Sequence, residues 1–278
     1  MTALRFSALG ALVAAGAIVW LLAGALVCEE SPKPKRSPGA ERAVYLKPPK
    51  EMDALARRDG LALLEESIRW YERTITDYTC TFTKQERIDE TLAKTETTFM
   101  KFREKPFSVY LKWSEPSKDQ EVIFSQGRYD EKAVVHPSGL LGLIFRKVSL
   151  DPEGKTAMRH SRRPVTFAGL GNMLRLVVGQ SKAAQAKGDL VLEYQGVREE
   201  AGRSAYVFNR LLPDGKGYPC HQLFIFIDCE YLLPVRTEAY LWDGRLLSDY
   251  RYTDLNLNPG LTDEDFNPEN RAYGYRAF

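Results

Sequence analysis

Apolar side chains recur in three rhythms along this chain, and each rhythm predicts a different element. From Ala8 to Val27 the run is continuously apolar, twenty residues without a charge, preceded by Arg5 and followed by Cys28-Glu29-Glu30. At about 1.5 Å per residue a helix of that length matches a hydrocarbon layer of roughly 30 Å. From Asp53 to Asp77 the period is helical: Leu55, Leu61, Leu64, Ile68, Tyr71 and Ile75 are separated by Glu and Arg, with Gly60 as a candidate break. From Tyr78 onward the period drops to two. Tyr78, Cys80 and Phe82 alternate with threonines, and Phe107, Val109, Leu111 and Trp113 alternate with Ser108, Tyr110 and Lys112, the pattern of half-buried strands.

Further strands are expected over residues 95–103, 120–126 and 131–136. A less regular stretch follows, with an apolar segment from Gly139 to Val148, a turn at Asp151-Pro152-Glu153-Gly154 and a basic loop from Arg159 to Thr166. Leu170, Met173, Leu174, Val177 and Val178 then form a helical stripe, with the polar run from Gln180 to Lys187 as its candidate extension. Five more strands are predicted at 190–198, 205–211, 222–228, 235–242 and 246–257. Their connections are short, and Asp243-Gly244 is a two-residue hairpin signal, so consecutive strands are expected to be antiparallel neighbours. Tyr250 and Tyr252 share one parity while Leu255 and Leu257 share the other, which predicts a bulge in the last strand.

Composition and charge refine this outline. The 278 residues carry 39 Lys+Arg against 37 Asp+Glu, a net charge of +2, which excludes a polyanion binder driven by bulk charge; no nucleic-acid partner is expected. Residues 1–27 read as a signal peptide or N-terminal membrane anchor. Three outcomes fit: an uncleaved anchor, cleavage at a small-residue site around Ala23-Gly24-Ala25, or lipidation of Cys28. Residues 28–52 form a tether in which Pro32, Pro34, Pro38, Pro48 and Pro49 alternate with Lys and Arg, too polar to build a core. Residues 53–278 are then one folded domain, expected to be α+β with a mainly antiparallel sheet.

The chemistry-bearing motifs are sparse. His136, His160 and His221 stand in separate contexts without metal-ligand spacing, and there is no nucleophile elbow or phosphate-cradling loop. Gly169-Leu170-Gly171 lacks the third glycine of a dinucleotide site and reads as a flexible start to the helix. Asp263-Glu264-Asp265 lacks calcium-loop spacing and reads as a solvated turn or an acidic first helical turn. No cofactor, metal or catalytic residue is therefore expected. Cys220 and Cys229 flank one predicted strand and would lie about 30 Å apart at about 3.3 Å per residue, too far to bond. A bond from Cys80 to either, or three free thiols, both remain open.

Several segments together resemble a bacterial domain family of unknown function related to the LolA-type outer-membrane lipoprotein carriers: Tyr78 to Ile88, Lys101 to Tyr110, Arg163-Pro164-Val165-Thr166 before Gly169, and Thr253 to Asn258 with Leu261 to Phe266. The resemblance covers roughly Ala62 to Tyr275. It implies a strongly curved, open half-barrel whose concave face is covered by helices, preceded here by the N-terminal hydrophobic helix.

A sheet too curved to collapse on itself leaves an apolar hollow suited to acyl chains. The candidate lining is Phe82, Phe99, Phe107, Val109, Leu111, Trp113, Phe224, Phe226 and Trp242, with Leu174 on a helix that plugs the hollow; the same residues would also serve a filled core. Arg159, Arg162 and Arg163 are candidates for an anionic headgroup, or for ordinary salt bridges. The expected function is that of a non-enzymatic protein on the periplasmic side of the cell envelope, anchored by its N-terminal helix or secreted, that binds lipid or a lipidated peptide. The alternative is an envelope scaffold with a filled core that binds another protein. A hydrolase would need His136 or His160 beside an acid and a nucleophile.

Overall fold

The computed structural model describes residues 51–275. The apolar stretch 1–27, Cys28 and the tether up to residue 50 lie outside the described residues. The first helical pattern is divided into α1 (Met52–Arg58) and α2 (Gly60–Thr74). Asp59 separates them in an extended conformation, and its carboxylate accepts the Ala62 backbone N–H at 2.9 Å, capping α2. Gly60 is required at the junction: a Cβ there would sit 2.8 Å from the Phe208 ring.

The strands follow as β1 (Asp77–Ile88), β2 (Thr91–Leu92), β3 (Glu96–Arg103), β4 (Ser108–Glu115), β5 (Glu121–Ser125) and β6 (Ala133–His136). The irregular stretch holds α3 (Gly139–Ile144), the short strand β7 (Val148–Leu150) and α4 (Lys155–Met158). The predicted helix and its polar extension are continuous as α5 (Leu170–Ala186), followed by β8 (Val191–Glu200), β9 (Arg203–Leu211), β10 (Gln222–Asp228), β11 (Pro234–Tyr240) and β12 (Leu246–Leu257).

Among the described residues these make one curved, open sheet of 12 strands in the order β7-β6-β5-β4-β3-β1-β12-β11-β10-β9-β8, with β2 paired to β1. Every pairing is antiparallel. The bulge expected in the last strand is present. Between the pairs Thr79–Asn256 and Thr81–Thr253, β12 carries one extra residue, and Asp254 takes a φ of 53°.

One face of the sheet packs with α1, α2 and α5 into the main core, which includes Leu64, Tyr71, Tyr78, Phe102, Leu174 and Phe208. The start of α5 is pinned at three points, two on the sheet and one on α2. The Leu170 N–H donates to the Tyr78 hydroxyl at 2.9 Å, a Cβ on Gly169 would meet Phe102 at 2.5 Å, and one on Gly171 would meet Tyr71 at 2.3 Å. Gly169-Leu170-Gly171 is thus a close-packed contact between helix and sheet and not a flexible start.

On the opposite face the segment after β12 folds over β4–β6 and buries Phe266, Tyr273 and Tyr275 against Tyr110, Ile123 and Val134. Its acidic triplet is the acidic first turn of a short helix, one of the two expected readings: it opens the 3-10 turn Asp263–Phe266, with Asp263 and Glu264 exposed, and two of its three carboxylates meet basic side chains. Asp263 meets Arg103 at 2.8 Å and Arg128 at 2.6 Å, and Asp265 meets Lys101 at 2.8 Å. Cys80, Cys220 and Cys229 are free.

Candidate functional site

The face of the sheet that carries α5 does not close completely. Between it, α5 and residues 150–169 lies a hollow of about 650 Å³, within the range of small-molecule sites. Ten consecutive strands, from β7 to β9 in the sheet order, each contribute to its wall. The apolar part is built from inward positions such as Phe82, Met100, Leu111, Trp113, Val122 and Val135, and α5 adds Met173, Leu176 and Val177.

The predicted lining divides accordingly. Phe82, Leu111 and Trp113 border the hollow, whereas Phe107 and Val109 pack in the main core and do not. Leu174 is 1% exposed in that core, and the neighbouring positions on α5 face the hollow instead. Phe99 is 43% exposed on the outer side, because Thr98, Met100 and Phe102 are the inward residues of β3. Phe224 and Phe226 belong to an outer cluster with Val207 and Val235, while Leu223, Ile225 and Ile227 are the inward residues of β10. Trp242 lies beyond the end of β11, beside His221, with 6.2 Å between ring centroids. Of the three arginines, Arg162 and Arg163 border the hollow, and Arg159 is exposed outside it.

The polar wall is centred on β1. Lys84 and Glu86 share the parity of Phe82, so the inward side of this strand changes from apolar to charged along its length. Lys84 Nζ stands 3.4 Å from Glu86 and 3.7 Å from Glu96, and it donates to Ser161 Oγ at 3.3 Å. Glu86 is 3% exposed and fully engaged: it accepts the Tyr250 hydroxyl, the Arg162 backbone N–H at 3.1 Å and Lys84. Glu96 accepts the Trp113 indole N–H at 2.7 Å. Burial, and then the Glu86 carboxylate, hold the Tyr250 hydroxyl well above its ordinary range, so it remains a donor. The basic loop is thereby tied to β1. The Arg163 guanidinium lies over the Phe167 ring at 4.9 Å, also on the rim of the hollow.

On β9, Arg210 also faces the hollow and is 1% exposed. Sequence reading passed over it and the β1 charges, since a charge in a strand reads as outward. The available signal was parity: Arg210 stands in step with Tyr206 and Phe208, as Lys84 does with Phe82. Two of the three histidines hold structure. His136 Nδ1 lies 3.0 Å from the Arg146 carbonyl and His221 Nδ1 2.9 Å from that of Leu212. His160 is exposed at the rim. Among the described residues no group of three His, Cys, Asp or Glu side chains is placed to hold a metal ion, and no helix is long and apolar enough to cross a membrane.

No curated protein sequence matches the chain. Among solved structures, MucB is similar over 76% of this chain and 62% of its own, with 17% identity and a TM-score of 0.44, so the present chain spans about three fifths of the length of MucB. Lipoprotein LppX of Mycobacterium tuberculosis is similar over 73% of this chain and 96% of its own, with 15% identity and a TM-score of 0.43. A LolA superfamily protein from Nitrosomonas europaea is similar over 74% and 96%, with 12% identity and a TM-score of 0.31. Residues 75–275, from the end of α2 through the segment folded over β4–β6, match the family described as protein of unknown function, DUF1571, and the chain belongs to that family.

Proposed function

We propose that this protein is a non-enzymatic binding module of the cell envelope, held on the periplasmic side by its N-terminal apolar stretch or released after its cleavage, that takes lipid or a lipidated peptide into the hollow of its sheet. The observation that carries the reading is the hollow itself. A sheet with a filled interior would suit a scaffold, whereas about 650 Å³ of space walled by Phe82, Met100, Leu111, Trp113 and the side chains of α5 suits hydrocarbon. The Lys84–Glu86–Glu96 group, one ammonium between two hydrogen-bonded carboxylates, supplies a polar border.

The test is mass spectrometry of lipid extracts from the purified full-length protein and from an Ala239→Phe variant. Ala239 is buried on the wall, so a phenyl ring there occupies the hollow. Co-purifying lipid in the parent, much reduced in the variant, is the expected result. Equal lipid in both, or none in the parent, refutes the proposal.

A further inference from the structure

We propose that Arg210 is an anion-binding post at the β9 end of the hollow, which receives the carboxylate of a fatty-acid-type amphiphile whose hydrocarbon chain lies along the apolar wall. The inference rests on the reading of the hollow as a lipid site and gives that site a ligand class.

Arg210 is 1% exposed and borders the hollow. A guanidinium offers five N–H donors and stays charged inside proteins. Here they are poorly served. Nη1 and Nη2 both reach Gln180 Oε1 at 3.4 Å, Nη2 reaches Cys220 Sγ at 3.6 Å, and Nε has no hydrogen-bond partner. The two contacts to Gln180 are long for hydrogen bonds of this kind. Among the described residues no carboxylate pairs with Arg210. Its cationic counterpart in the same hollow, Lys84, lies between Glu86 and Glu96. A buried charge without a partner is costly to keep, and burial does push the Arg210 pKa down. The arrangement is therefore incomplete in a specific way: a planar fork facing an apolar space, with its counter-charge missing.

The surroundings select the anion. Pro219, Leu223 and Ala239 line the same hollow, and Gln180 and Cys220 are the side chains within reach of the fork. A phosphodiester headgroup would bring further polar groups into this apolar setting without partners for them. A carboxylate brings two oxygens, which the guanidinium satisfies with parallel N–H donors, and a hydrocarbon chain that the wall accepts.

Calorimetric titration of the delipidated full-length protein with oleate and with oleyl alcohol, which has the same chain but no charge, tests the inference. Oleate should bind about tenfold more tightly or better, the scale of a charge-assisted hydrogen bond. Arg210→Met should remove that preference while retaining oleyl alcohol binding, and Arg210→Lys should keep part of it. Equal affinity of the two amphiphiles for the parent overturns the inference and leaves the lipid reading standing, as does a preference that survives in Arg210→Met. If neither amphiphile binds, the lipid reading fails and this inference with it. Binding of acetate or inorganic phosphate as tight as that of oleate marks a free-anion site and also overturns it. Should Arg210→Met fail to fold, the comparison of the two amphiphiles on the parent protein decides the matter.

Discussion

Gly171 leaves no room for a side chain, because the Tyr71 ring that would have to yield is itself held. Tyr71 is 1% exposed, and its hydroxyl donates to Glu104 at 2.7 Å. Gly171→Ala should therefore cost about 1–3 kcal/mol of stability as an overpacked contact, measured by denaturant unfolding. Gly179, in the same helix, has nothing within 4 Å of its missing Cβ, so Gly179→Ala should instead stabilise by about 0.5–1 kcal/mol. What separates these two glycines is what lies opposite: the Tyr71 ring at Gly171 and open space at Gly179. The cysteines offer a second contrast at this scale. Burial, with Asp228 and Asp53 adding to it, pushes the Cys229 thiol up to about 11. Alkylation of Cys229 at pH 8 should be on the order of a hundredfold slower than that of an unperturbed thiol. Rates matching a free thiol would contradict the burial described for it.

Among the elements, the segment after β12 is held by charge as well as by packing. Burial alone would raise the Asp265 carboxyl, but hydrogen bonds from Lys101 and from the Thr262 backbone outweigh it, and the net position is below the ordinary carboxylate range. A carboxylate depressed in the folded state stabilises above its unfolded value, about 3.9, and loses that contribution as pH falls through the lower folded value. The protection of residues 261–275 against amide exchange, taken relative to the intrinsic rate at each pH, should fall below about pH 4, before the sheet opens, and Asp265→Asn should show low protection already at neutral pH. Constant protection across the pH range would refute the pairing.

Most strands were legible from alternation because one side of each meets the core and the other meets water. The β9–β10 pair shows where this fails. Residues 222–228 are apolar on both parities, since Phe224 and Phe226 bury against Val207 and Val235 on the outer side while Leu223, Ile225 and Ile227 face inward. Periodicity cannot assign a face when both faces are covered. The candidate wall was legible at Phe82, Leu111 and Trp113, apolar residues on strands with a polar outer side, whereas Arg210 was missed because a charge in a strand reads as outward. The existence of the hollow is a property of how far the sheet bends, and no single strand encodes it.

For the whole molecule, the hollow links stability to occupancy. A ligand that binds only the folded state stabilises it by about 2.7 kcal/mol when present at a hundred times its Kd. Delipidation should accordingly lower the melting temperature, and added oleate should restore it; identical melting curves would mean that the hollow holds nothing under those conditions. The sheet order has a different consequence, one of time and not of energy. The first long strand, β1, and the last, β12, are neighbours at the middle of the sheet, so β1 and β3–β7 on one side and β8–β11 on the other share no strand-to-strand hydrogen bonds until β12 is laid between them. A chain emerging N-terminus first can hold two partial sheets but cannot join them before residue 257 is free. Its last folding step is therefore a closure between distant parts of the sequence, of the kind that makes folding slow.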